Sequence, residues 1–222
     1  MKIVAMIPAR MGSQRLPKKN LALLDGVPLI VHAIRKCQAV GLFDEIWVNS
    51  EHPDFGEIAQ AEGVGFHQRP EALGNNEATS EQFVTEFLRA HDCTYVVQVH
   101  SIAPLLSEGD IRRFVELLRE GECDALMSVV DENLECLYHG RPVNFTFAEK
   151  TNSQDLDPVR RIVWAITAWR RDTFLQAAGR GECATYSGRI GYSSVGRMAG
   201  HVIKTQEDLD IAAALFGILQ KR

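Results

Sequence analysis

The sequence predicts one α/β domain built on a mostly parallel sheet with helices on both faces. Short apolar runs alternate with longer amphipathic stretches along most of the chain, the order that β-α-β crossovers produce. The length, 222 residues without a repeat, low-complexity tract or Pro/Gly-rich linker, suits a single domain over residues 1–222. Only between residues 131 and 160 does the alternation fail, and this stretch is expected to be a small arm that projects and joins two subunits.

The elements follow in order. Lys2 to Pro8 is apolar and ends at a proline, as a buried strand does. A polar loop, Ala9 to Asn20, leads to a helix over Pro28–Val40, with Pro28 suited to a first turn. Glu45–Asn49 reads as a strand, Asp54–Glu62 as a short helix, and Val64–Gln68 as a strand entering a second polar loop. Phe83, Val84, Phe87 and Leu88 give Thr79–His91 a helical stripe, and Tyr95–Val99 is a clear strand. Ser107 and Asp110 form a capping pair ahead of the next helix. Ala125–Val130 is a strand and Ile162–Trp169 another, although the apolar run of the latter would also suit a buried helical segment. Between them, Tyr138–Phe147 reads as a hairpin. Thr205 and Asp208 repeat the capping pattern before a last helix. Right-handed crossovers place the loops after the parallel strands along one edge, where ligands bind.

Composition excludes several functions. Hydrophobic residues make up 45% and charged residues 24%, so the chain is globular and not disordered. The net charge of −5 lacks the basic footprint that nucleic acid needs, and no nucleic-acid partner is expected. No apolar run reaches the roughly 18 residues of a membrane span, and Met1–Pro8 is too short for a signal peptide. Cys37, Cys93, Cys123, Cys136 and Cys183 lack C-x-x-C spacing, so reduced buried thiols and a cytoplasmic location are expected.

Against this acidic total, the loop IPARMGSQRLPKKN (residues 7–20) concentrates Arg10, Arg15, Lys18 and Lys19. Gly12 permits close backbone approach and Ser13 adds a hydroxyl. Cations, a glycine and exposed amides at a sheet edge suit a triphosphate, although a solvated surface loop has similar composition. The spacing is not that of a Walker loop.

The order of residues in this loop resembles the opening signature of the CMP-sugar synthetases, cytidylyltransferases that activate acidic keto-sugars. Arg15-Leu16-Pro17 is nearer the 3-deoxy-manno-octulosonate branch, and Lys19-Asn20 nearer the sialic-acid branch. Further segments extend the resemblance over most of the chain: NL…GVPLI (residues 20–30), WVNSE (47–51), QRPEAL (68–73) with Thr79 and Ser80, SQDLDPV (153–159) and TQEDL (205–209).

The resemblance implies a Rossmann-like nucleotidyltransferase sheet (GT-A-like) in a homodimer built partly from the arm. The implied substrates are CTP and a small acidic sugar, with pyrophosphate released and Mg²⁺ as cofactor. By the same resemblance Arg10 and Lys19 contact phosphates, Arg15 neutralises the departing pyrophosphate, and Ala9, Gly12 and Ser13 shape the loop. Asn20 holds the ribose, and Arg69 with Thr79 and Ser80 reads the base. Gln154 falls in the segment assigned to the acceptor.

Three departures qualify this. In VQVHSIAPL (residues 97–105), His100 stands at the family's acceptor-side glutamine and Ile102 at its metal-binding aspartate. Lys204 stands where a second metal aspartate precedes the last helix. The apolar run Ile162–Thr167 replaces a polar acceptor-facing turn, with Trp164 and Trp169 read as core residues. Two readings stay open: Lys204 supplies a fixed charge in place of the ion, or this homologue binds a nucleotide without turning it over. An unusual acceptor is a third. His100 either meets the acceptor, as hydrogen-bond partner or base, or packs as a satisfied core histidine. The other histidines share no metal-ligand spacing.

Overall fold

In the computed structural model, residues 1–219 are described. The chain starts with β1 (Ile3–Pro8), whose side chains alternate between two faces, as a strand's must. The basic loop follows, then a 3-10 turn at Lys19–Leu21 and a short hairpin of β2 (Leu23–Leu24) and β3 (Val27–Pro28). Pro28, which cannot donate a backbone hydrogen bond, ends the hairpin and opens α1 (Leu29–Val40). Next come β4 (Glu45–Ser50), α2 (Asp54–Ala61), β5 (Gly65–Gln68), α3 (Ser80–Ala90), β6 (Tyr95–Val99) and α4 (Glu108–Arg119). The second half holds β7 (Ala125–Glu132), β8 (Leu137–Tyr138), β9 (Arg141–Pro142), β10 (Val159–Arg170), α5 (Arg171–Gly179), β11 (Ile190–Ser194) and α6 (Gln206–Leu219).

Seven strands form the main sheet in the order β11-β7-β10-β6-β1-β4-β5. All run parallel except β10, which lies antiparallel to both β6 and β7. From β1 the chain moves to β4 on one side and later to β6 on the other. The β1–β6 boundary is therefore a switch point, with a crevice at the strands' carboxyl ends.

Burial explains the layers. Ile3, Ala5 and Ile7 of β1 face a large cluster with Ile30 and Ile34 of α1 and Phe114 of α4. Val4 and Met6 face the opposite cluster, with Val84 and Phe87 of α3 and Phe174 of α5. A third, smaller cluster joins Leu16 of the basic loop to Leu24, Leu29, Ile203, Leu209 and Ala212. It fastens α6 and the segment before it onto the loop.

The capping pairs read from sequence are formed. Ser107 Oγ accepts the Asp110 amide at 3.0 Å, and Asp208 Oδ2 accepts the Thr205 amide at 2.8 Å. Thr79 adds a reciprocal box with Gln82 at the start of α3.

Several expectations need correction. Ile162–Trp169 is the strand expected, but β10 is longer than predicted because it continues along β7 beyond a register shift. Ser128 occupies the shift, its Oγ accepting the Ile166 amide and donating to the Val163 carbonyl. The hairpin expected over Tyr138–Phe147 closes earlier, turning through His139 and Gly140 at φ 48° and 75°. Beyond it the Asn144 side chain anchors the arm: its Oδ1 accepts the Cys136 amide, and its Nδ2 donates to the Leu134 and Asp157 carbonyls. Trp164 is exposed, whereas Trp169 is buried as expected. Cys37, Cys93 and Cys123 are buried free thiols, but Cys136 is half-buried and Cys183 exposed. No described helix is long and apolar enough to cross a membrane.

Candidate active site

A crevice of about 270 Å³ opens at the carboxyl ends of β1, β5 and β6, walled by Arg10, Lys19, Arg69, Gln98, His100 and Ile102, among others. Ala9, Ser13, Asn20 and Ser80 also face it. Sequence-distant segments meet there because parallel strands deliver their following loops to one edge.

The basic loop is built on backbone anchors. The Ala9 amide donates to the Asn49 carbonyl at 3.0 Å, and the Met11 amide to Glu51 Oε1 at 2.8 Å. Buried Asn20 bridges the loop to the strand beyond: its Nδ2 donates to the Arg10 carbonyl at 3.0 Å, and its Oδ1 accepts from Ser101 Oγ at 2.8 Å. Lys18 adopts φ 51°, a left-handed conformation unusual for a side-chain-bearing residue, and thereby turns the chain into the Lys19–Leu21 turn. Arg10 reaches across to the Asn75 carbonyl at 3.0 Å.

These folds concentrate positive charge. Partial burial pushes the Lys19 ammonium below its usual range, and the charges of Arg15, Arg10 and Lys204 push it further. The charges of these three residues thus reach Lys19, although Arg15 and Lys204 are exposed and do not wall the crevice.

The opposite wall is dry. Arg69 is 4% exposed. Its Nη1 donates to Asn49, its Nη2 to the Ala9 carbonyl at 2.9 Å and to Glu51 Oε2 at 3.0 Å, and its plane covers the Phe83 ring at 4.9 Å. Burial lowers its pKa, with the Glu51 carboxylate acting in the other direction. Three atoms on this wall have no hydrogen-bond partner among the described residues: Arg69 Nε, Gln98 Oε1 and His100 Nε2. Thr167 Oγ1, opposite Gln98 in the β6–β10 register, is a fourth orphan. Buried polar atoms are nearly always paired in native proteins, so these atoms mark where the crevice wall leaves polar groups to be satisfied. Burial, and to a lesser degree the Lys19 charge, lowers the His100 pKa to about 4, so its ring is neutral near pH 7.

Of the residues predicted from sequence, Ala9, Arg10, Ser13, Lys19, Asn20, Arg69, Ser80 and His100 come together in this crevice. Gly12 lies beside it on the loop, in open space, and Thr79 serves as the N-cap of α3. Gln154 sits exposed on a turn at Ser153–Asp155, and the chain does not bring it to the crevice. Sequence reasoning missed Gln98, Phe83, Ser101 and the anchoring Glu51. Gln98 was detectable as the polar residue in an otherwise apolar strand; Phe83 looks identical to any core aromatic on a helical stripe.

The carboxylates tell their own story. Among the described residues no acid walls the crevice, and both oxygens of Glu51 are already engaged. Among the described residues, no group of three or more His, Cys, Asp or Glu side chains is placed to hold a metal ion. Magnesium takes oxygen ligands, commonly one or two carboxylates beside substrate phosphates, so the residues present do not fit a carboxylate-held Mg²⁺.

Comparison with known proteins places this geometry. A sequence model described as cytidylyltransferase matches residues 4–171. The chain belongs to the cytidylyltransferase family. It is 32% identical over 129 residues to N-acylneuraminate cytidylyltransferase A of Danio rerio, covering 58% of this chain and 30% of the fish protein. It is 28% identical over 197 residues to the N-acylneuraminate cytidylyltransferase of Streptococcus agalactiae serotype V, covering 84% and 48% respectively. The chain thus spans less than half the length of these relatives. Among solved structures, a CMP:2-keto-3-deoxy-manno-octonic acid synthetase complexed with CTP superposes with a TM-score of 0.73 at 20% identity, covering 98% of this chain and 99% of that one. The 4-diphosphocytidyl-2C-methyl-D-erythritol synthase of Anaerococcus prevotii gives 0.68 at 16% identity, covering 97% and 98%. At these identities the structures show a shared fold, the nucleotidyltransferase form of the Rossmann-like sheet that this cytidylyltransferase domain adopts.

Proposed function

We propose that this chain is a CTP-dependent cytidylyltransferase that transfers CMP to a small acidic keto-sugar. The observation that carries this reading is the crevice itself, with a cation cluster on one side and orphaned polar atoms on the other. A triphosphate complements the first, and a nucleobase and sugar complement the second.

The reaction asks little covalent chemistry of the protein. The acceptor's hydroxyl oxygen bonds to the α-phosphorus, the bond from that phosphorus to the α,β-bridging oxygen breaks, and pyrophosphate leaves with the electron pair. The hydroxyl proton passes to solvent. Positioning and charge neutralisation carry most of the barrier reduction. Arg10 and Lys19 hold phosphate oxygens, Arg15 meets the departing pyrophosphate, and Asn20 orients the loop and the ribose. Neutral His100, with its free Nε2 at the end of β6, faces the acceptor. Arg69 acts mainly through position, since most of its donors are engaged with Asn49, Ala9 and Glu51.

The arm completes the proposal. It displays Leu134, Leu137, Tyr138, Val143 and Phe147 at the surface, and a homodimer that covers them brings Gln154 toward the partner's crevice. Use of CTP suits a cytoplasmic enzyme, with no membrane or nucleic-acid partner.

The test is pyrophosphate release from CTP with a panel of keto-sugar acids, with and without Mg²⁺. Tight CTP binding with no release for any acceptor favours the second reading, a nucleotide-binding homologue without turnover. Ile102 and Lys204 are the observation behind that alternative. Release with an acceptor outside the acidic keto-sugars identifies an unusual substrate, to which the His100 substitution would belong.

A further inference from the structure

Ile102 and Lys204 are separated by about half the chain, yet the fold sets them together. The Ile203 amide donates to the Ile102 carbonyl at 2.8 Å. Ile203 itself is fully buried in the small cluster that also holds Leu16 of the basic loop. On its other side the Lys204 amide donates to Asp208 Oδ2 at 2.8 Å, within the cap of α6. The Lys204 backbone is therefore pinned from both directions, while its side chain is exposed and its charge is felt at Lys19. Asp208, four residues on, is engaged by the amides of Lys204 and Thr205 and the Thr205 hydroxyl.

Resting on the cytidylyltransferase reading above, we infer that Lys204 is a phosphate-binding residue that takes the place of a carboxylate-held divalent ion, so that this chain binds free CTP. The two departures act as one unit. An isoleucine removes a ligand that would need a cation beside it, and a lysine supplies that cation covalently. Lysine binds phosphate as a point charge, and CTP free of metal carries about four negative charges near neutral pH. Arg10, Arg15, Lys19 and Lys204 supply the four compensating charges without an ion.

Magnesium-bound CTP carries two fewer negative charges, so a site already holding four cations gains less from it. The arrangement thus favours the metal-free nucleotide. A carboxylate-held ion would show the opposite preference.

Calorimetric titration of CTP into the intact protein tests this, in EDTA and in excess Mg²⁺, for the wild type, Lys204→Ala, Lys204→Arg and the double variant Ile102→Asp/Lys204→Asp. Lys204 is exposed, so its truncation leaves the core unchanged, and a matching thermal unfolding midpoint checks that. The wild type is expected to bind CTP in EDTA at least as tightly as in Mg²⁺. Lys204→Ala should lose roughly 10- to 100-fold in EDTA, Lys204→Arg should stay within a few-fold of wild type, and the double variant should bind only with Mg²⁺. Wild-type binding that disappears in EDTA, or unchanged affinity in Lys204→Ala, overturns the inference and leaves the cytidylyltransferase reading standing. Absence of CTP binding under both conditions overturns that reading and this inference with it.

Discussion

The crevice and the arm, both parts of one small domain, are held by different means. The crevice walls are pinned by bonds between distant segments: Asn20 to Ser101, Arg69 to Asn49 and Glu51, Ile203 to Ile102. Its shape is therefore set by one chain. Between β7 and β10 the arm turns through a short hairpin, is anchored internally by Asn144, and leaves Leu137, Tyr138 and Phe147 in solvent. The difference teaches that the crevice is braced from within the chain, whereas the arm keeps its apolar side chains at the surface, open to a partner.

The largest effect that would break this contrast is at Arg69. Its buried guanidinium, paired with an 11% exposed Glu51, ties β4, β5 and the basic loop together. Arg69→Ala leaves that carboxylate uncompensated and should cost about 3–5 kcal/mol of stability, read as a lowered urea midpoint. A change within experimental error would mean that the crevice is not held from within.

Next come Arg10→Ala and Lys19→Ala. Each should weaken CTP binding by about 1.5–3 kcal/mol, roughly 10- to 100-fold, with the fold intact. Equal affinity by calorimetry would reduce the loop to a solvated surface. Because Lys19 is held below its ordinary pKa by burial and neighbouring cations, a bound polyanion restores its proton. CTP binding on the alkaline side should therefore take up protons, visible as heats that depend on the buffer's ionisation enthalpy, and Lys19→Ala should abolish that dependence.

His100 sharpens the comparison through pH. Its folded pKa of about 4 lies below the ordinary 6.5, so between these values the unfolded chain binds a proton that the folded chain refuses. Stability is full above pH 6.5 and falls as the pH drops toward 4, by about 1–3 kcal/mol from this group. His100→Gln should flatten that part of the urea-midpoint profile. Identical acid sensitivity in the two proteins would show that the ring is not desolvated.

The smallest expected effect is at Gln154. Gln154→Ala should leave CTP affinity within about twofold, since the residue lies outside the crevice. By contrast Leu137→Ser combined with Phe147→Ser should shift sedimentation toward the monomer and depress acceptor use. A clear loss of CTP affinity in Gln154→Ala would place the arm in the nucleotide site and dissolve the distinction.

Legibility followed the same division. The basic loop, the QRP step before α3 and the capping pairs at Ser107 and Thr205 were readable because their chemistry is local. Gln98 and Ser101 were not recognised as site residues, since their importance comes from partners far away in sequence. β11 and α5 went unread: β11, with Gly191, Ser193 and Ser194, has too little apolar character to signal a strand until β7 lies beside it.

Periodicity and residue order by themselves established a mostly parallel α/β sheet, a basic loop at one edge of it, and the cytidylyltransferase resemblance. Those properties are written in spacing along a strand, a helix or a loop. Packing alone decided that β10 runs against its neighbours, that the Ile203 amide meets the Ile102 carbonyl, and that Arg69 Nε, Gln98 Oε1 and His100 Nε2 are buried without partners among the described residues. Each depends on contacts between segments far apart in the chain, and burial, not local pattern, selects which of those contacts form.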